Sequence, residues 1–159
     1  MKRFVRVLLC LATALGGMLV SGSVASAAPG DCASAGWVLR SANIVNHSNN
    51  TAIGKVYTYV NSCNQYWAQI KLNSALGAGQ WANAFIDLYV DGSFDGRLTC
   101  ARGDGGNAEV SAGQTSCYTG YFGSTDTGIT YQSQGYVYNY PSSMFASGAT
   151  QNCSRWECI

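Results

Sequence analysis

The chain has 159 residues, of which only 11% are charged, with nine Lys and Arg, eight Asp and Glu and a single His. Lys2, Arg3 and Arg6 open the chain, so residues 28–159 carry six bases against eight acids, a net charge of −2. That balance leaves no basic stripe to neutralise phosphates and argues against a nucleic-acid partner.

Residues 1–27 read as an export signal. A basic start is followed by an apolar run over 7–20 and then by Ala25-Ser26-Ala27, a small-x-small cleavage site. The run is too short for a retained spanning helix, so no membrane attachment is expected after cleavage. Cleavage after Ala27 would leave residues 28–159 as one secreted β domain, long enough to bury roughly two thirds of its unfolded surface.

Cys10 leaves with the signal. Six cysteines remain: Cys32, Cys63, Cys100, Cys117, Cys153 and Cys158. An even number in an exported chain reads as three disulfides. Fifteen pairings are open, and the preferred one is sequential: Cys32–Cys63, Cys100–Cys117 and Cys153–Cys158. Zinc is disfavoured, because there is no Cys-x-x-Cys and only one His. No metal or other cofactor is expected.

Short apolar runs punctuated by Gly, Asn and Ser predict an all-β chain, an antiparallel sandwich or small barrel. A first strand is expected over 37–44, then a polar loop over 45–51. The run Lys55-Val56-Tyr57-Thr58-Tyr59-Val60 is β-branched or aromatic after its lysine and predicts a second. Over 66–72, Ala68, Ile70 and Leu72 point one way while Trp67, Gln69 and Lys71 point the other.

The clearest strand is 81–90. Ala82, Ala84, Ile86, Leu88 and Val90 form one apolar face, and Trp81, Asn83, Phe85, Asp87 and Tyr89 form the other. Asp91-Gly92 then predicts a hairpin turn, with 97–101 as the returning strand. Residues 102–113 read as an exposed loop, with further strands at 117–122 and 135–140. A helix is conceivable over 143–147.

Chemistry-bearing motifs are sparse. Asp91, Ser93 and Asp95, with Gly96, match the first half of a calcium loop, but the twelfth position is Arg102, so the hairpin reading is preferred. His47 sits in a polar loop, and no Gly-x-Ser-x-Gly elbow supplies a nucleophile for it. No catalytic residue is assigned.

The sharper signal is aromatic display. Trp81, Phe85 and Tyr89 recur every four residues with Asn83 and Asp87 between them, and Trp67 lies on the preceding predicted strand. Rings about 13 Å apart, at ~3.3 Å per residue, are too distant to touch one another. If these faces coincide and meet water, Trp67, Trp81, Asn83, Phe85, Asp87 and Tyr89 would stack on sugar rings and bond their hydroxyls. If a second layer covers them, they plug a core. Tyr57, Tyr59, Tyr136, Tyr138 and Tyr140 repeat the two-residue rhythm on other strands, as either a sticky surface or half-buried sheet faces, and the chain's ten tyrosines lean towards interaction.

On Cys32, Gly36, Trp37, Leu39, Ser41 and Ile44, then Gly54-Lys55-Val56-Tyr57, the chain resembles the spore-associated protein A family, small exported actinobacterial proteins. Residues 59–68, with Cys63 and Trp67-Ala68, resemble a second exported actinobacterial family of unknown function. Both resemblances lie in the N-terminal third and imply an exported surface role without a catalytic residue. The expected function is therefore a secreted, non-enzymatic protein acting at the cell or spore surface on cell-wall polysaccharide or surface proteins. The alternatives are a carbohydrate-binding module and a protease inhibitor presenting a loop at 102–114.

Overall fold

The structure, a computed structural model, describes residues 36–123, 126–140 and 142–154. The expected signal over 1–27, Cys32 and Cys158 lie outside them. The chain is all-β, as its alternating pattern requires. Among the described residues, nine strands form one antiparallel sheet: β1 (Trp37–Asn46), β2 (Ala52–Val60), β3 (Gln65–Leu72), β4 (Gln80–Val90), β5 (Ser93–Thr99), β6 (Ser116–Tyr118), β7 (Phe122–Gly123), β8 (Ile129–Asn139) and β9 (Ser143–Ala149). The order is β5-β4-β8-β9-β1-β2-β3-β6, with β7 also on the edge of β3. The barrel alternative is thus the one realised, as a single curled sheet rather than two stacked layers.

Curling brings β2 and β3 across the interior onto β8 and β4. Every second side chain points inward. Ile44, Val56, Ala68, Ile70, Ala84, Ile86 and Val137 are fully buried and form the core. The strand over β4 fulfils its pattern, with Ala82, Ala84 and Ile86 at 0% exposure on the inner face. Leu88 is half-buried and Val90 exposed as the strand runs out of the core. Gly135 lies where a Cβ would stand 2.6 Å from Ile44 Cδ1, so glycine lets β8 bend over the core. The interior also holds hydroxyls that satisfy one another: Thr58 and Ser133 are 2.7 Å apart, and Ser133 N donates to Thr150 Oγ1 at 3.0 Å.

The hairpin forms at Asp91-Gly92, both at positive φ (49° and 78°), so β5 starts at Ser93 and needs only a two-residue turn. Ser93 and Asp95 are therefore strand residues, and the calcium-loop reading gives way to the hairpin.

Two expectations are corrected. The stretch 143–147 is strand β9, because Ala146 faces the core opposite Val137 while Met144 stays exposed. The stretch 102–113 is no free loop. One turn of 3-10 helix at Arg102–Asp104 is held by Asp104 Oδ2, which accepts from Thr99 N and Oγ1. Val110 is then fully buried and exchanges two backbone bonds with Ala82, both 2.9 Å. The segment closes the gap between the sheet's edges as a clasp.

Cys100–Cys117 is a disulfide, as the sequential pairing expects. Cys63 and Cys153 are also disulfide-bonded. Their expected partners, Cys32 and Cys158, lie outside the described residues.

Candidate functional site

The outer face of β4 does not stand alone, because β8 pairs with it along its whole length. Trp81 lies opposite Tyr138, Asn83 opposite Tyr136, Phe85 opposite Gln134 and Asp87 opposite Gln132. Rings separated along β4 are thus bridged by rings from β8. Phe85 meets Tyr136 edge to face at 5.3 Å, Tyr136 lies 6.3 Å from Tyr138, and Tyr138 stacks on Trp81 at 4.1 Å. All four are half-buried on the outer face. From β5, Arg97 covers Phe85 at 4.9 Å and Phe94 at 6.0 Å, and Phe94 touches Tyr89 at 5.9 Å. The result is a continuous aromatic ladder across three strands.

Polar groups beneath the ladder are mostly engaged with one another. Asp87, 1% exposed, accepts from Arg97 Nε at 2.6 Å, from Arg97 Nη2 at 2.8 Å and from Gln134 Nε2 at 2.7 Å. A bidentate pair of this kind neutralises both charges and fixes the guanidinium plane. The bond to Asp87 holds the Arg97 guanidinium above its ordinary pKa, against the opposing effect of burial. Tyr136 OH donates to Gln134 Oε1, and Gln134 Nε2 also donates to Gln132 Oε1 at 3.3 Å. Burial, then the neighbouring Tyr136, pushes the Tyr138 phenol up. The two charges beneath the rings, Arg97 and Asp87, thus cancel within the ladder itself.

The six residues singled out from the sequence divide. Trp81, Phe85 and Tyr89 share the ladder. Asn83 and Asp87 lie within it but are buried: Asn83 Oδ1 accepts from Cys100 N and its Nδ2 donates to Glu109 Oε1, anchoring the clasp. Trp67 is elsewhere. It stacks on Tyr59 at 5.3 Å on the β2–β3 face, and a Cβ at Gly36 would stand only 2.0 Å from its ring. At 8% exposure it is a covered plug rather than a platform. The sequence alone does not single out Phe94, Arg97, Gln132 or Gln134, and it marks Tyr136 and Tyr138 as interaction-prone without placing them beside Trp81 and Phe85. The available signal is the alternation in Gln132-Ser133-Gln134-Gly135-Tyr136-Val137-Tyr138, which puts both glutamines and both tyrosines on one face and only small or apolar residues on the other.

A second concavity lies at one end of the barrel. A groove of about 370 Å³ between Ile53, Leu76 and Phe145 adjoins a shallower one of about 600 Å³ by Asn46, His47 and Asn139, and Gln80 and Phe145 line both. His47 Nε2 is 2.9 Å from Ser147 Oγ. No Asp or Glu lines either groove, so this His–Ser contact lacks the carboxylate of a triad among the described residues.

No protein-family model matches the chain, and no solved structure matches it. It is 43% identical over 90 residues to the uncharacterized protein YjfA of Bacillus subtilis (strain 168), covering 56% of this chain and 54% of that protein. The chain spans about half the length of the curated relative it matches.

Proposed function

We propose that this protein is a secreted, non-enzymatic binding protein of the cell surface, and that the β5–β4–β8 face holds a neutral polysaccharide chain. The observation that carries the reading is the unbroken run Phe85–Tyr136–Tyr138–Trp81, with ring-to-ring steps of 5.3, 6.3 and 4.1 Å. An extended line of half-exposed rings on a rigid sheet presents apolar area at low entropic cost, and phenol and amide groups beside it can bond hydroxyls. Internal pairing of Arg97 with Asp87 leaves neither of those two charges free to attract a charged ligand, which suits an uncharged glycan. The signal-like start and the resemblance to exported families support the compartment, and the disulfides are compatible with it.

Co-sedimentation with chitin, cellulose and peptidoglycan tests this reading. Retention on at least one polymer is expected, and Trp81→Ala/Tyr138→Ala should weaken it at least about tenfold while preserving the β-type circular dichroism. Lack of retention on all three, or retention indifferent to the double substitution, would remove it.

A further inference from the structure

The chain contains no Asp or Glu anywhere between residues 32 and 86, yet Arg40, Lys55 and Lys71 fall within that span. Folding gathers this sequence asymmetry into one place, because β1, β2 and β3 are consecutive in the sheet. The carboxylates of the described residues lie instead on β4, β5 and the loops beyond them.

Lys55 and Lys71 are direct cross-strand partners, and both are exposed on the outer face. Like charges placed opposite one another in a sheet repel. Neither lysine makes an ion pair among the described residues. Lys71 leans instead onto tyrosine. Its ammonium lies 5.6 Å from the Tyr57 ring centre and 6.0 Å from that of Tyr59, and Nζ donates to Tyr59 OH at 3.4 Å. Tyr59 is backed in turn by Trp67. The Lys71 ammonium is thus held over a stiff aromatic base, with the exposed Lys55 directly across the strand pair from it.

From this we infer that the β2–β3 outer face binds a phosphodiester-linked polyol or sugar chain, through Lys55 and Lys71, independently of the aromatic ladder. The charge asks for an anion. Lysine presents a compact point charge that binds a tetrahedral phosphate without the planar bidentate geometry of an arginine fork. Nucleic acid fits less well, because the Tyr57 and Tyr59 faces that would stack on bases are occupied by Lys71 and Trp67.

Affinity electrophoresis of the full secreted chain in gels containing poly(glycerol phosphate) tests the assignment. Retardation is expected at low salt and should fade as salt screens the contact. Lys55→Gln/Lys71→Gln should weaken retardation at least about tenfold, and Lys55→Arg/Lys71→Arg should keep it within about threefold. Trp81→Ala/Tyr138→Ala should leave it unchanged, which separates this face from the ladder and lets either assignment fail alone. Because the Gln pair removes repulsion, it should melt no lower than the parent, so loss of binding cannot be ascribed to unfolding. Absent retardation, indifference to the Gln pair, equal retardation by polygalacturonate or single-stranded DNA, or binding confined to phosphatidylglycerol vesicles would each overturn the inference.

Discussion

Cys100 and Cys117 join the two opposite edges of the sheet. Cys100 follows β5 and Cys117 lies in β6, the first and last strands of the order, and their Cα atoms are 6.0 Å apart. An open curled sheet exposes two rows of unpaired backbone groups and has little to keep it curled. The bond and the clasp beside it supply that restraint: a Cβ at Gly120 would stand 1.9 Å from the Asp104 carbonyl oxygen, so the two segments run in backbone contact.

Removing the bond should therefore loosen closure rather than the core strands. A disulfide spanning 17 residues restricts the unfolded chain by about 3 kcal/mol. Cys100→Ala/Cys117→Ala is expected to lower the urea midpoint by about that free energy. Hydrogen exchange should accelerate first at Ala82 and Val110, whose paired amides close the gap. Unchanged exchange at those two amides would show that closure does not depend on the bond.

Arg97 and Asp87 form a pair with unequal exposure. Asp87 is nearly sealed at 1% exposure, and the Arg97 side chain is 41% exposed, so the pair sits between a surface and a buried bridge. Arg97→Ala leaves a buried carboxylate with Gln134 alone, which should cost about 2 kcal/mol after allowing for solvent at the guanidinium. Arg97→Ala/Asp87→Asn should recover part of that loss, since it removes the stranded charge. A double variant no more stable than Arg97→Ala would refute this account of the pair.

The legible parts of the fold are those in which local pattern and tertiary environment agree. The strand over β4 could be read because its two faces differ at every residue, and the turn after it because Asp91-Gly92 accepts positive φ twice. Strand β9, Ser-Met-Phe-Ala-Ser-Gly-Ala, has no β-branched residue and becomes a strand through its pairing with β8. The clasp was invisible because a lone Val110 in a polar stretch has no period. The site was half legible for the same reason: Trp81, Phe85 and Tyr89 could be placed on one face, but not Tyr136 and Tyr138 beside them. Register between β4 and β8 is set about fifty residues apart in the chain. Trp67 and Trp81 look like neighbours in the sequence because β3 precedes β4, whereas β8, β9, β1 and β2 separate them in the sheet.

Tyr131 buries its hydroxyl in an aromatic cluster. The ring is 2% exposed, stacked on Tyr66 at 4.0 Å and facing Phe122 at 6.3 Å, and its oxygen has no hydrogen-bond partner among the described residues. A buried hydroxyl without a partner costs roughly 1–3 kcal/mol of desolvation, so Tyr131→Phe should stabilise the protein by about 1 kcal/mol at neutral pH. Burial, and then Tyr66 and Asp126, also raise the phenol above its ordinary value of 10.0. Below that value the phenol is neutral in both states and the folded protein loses nothing. Above it the unfolded chain releases the proton while the folded chain retains it, so stability falls as pH rises. Tyr138, raised by burial and Tyr136, contributes in the same direction, so the substitution should flatten the alkaline decline without abolishing it. Urea midpoints compared at about pH 8 and about pH 11 measure the difference, and parallel declines in parent and variant would assign the alkaline sensitivity to other groups.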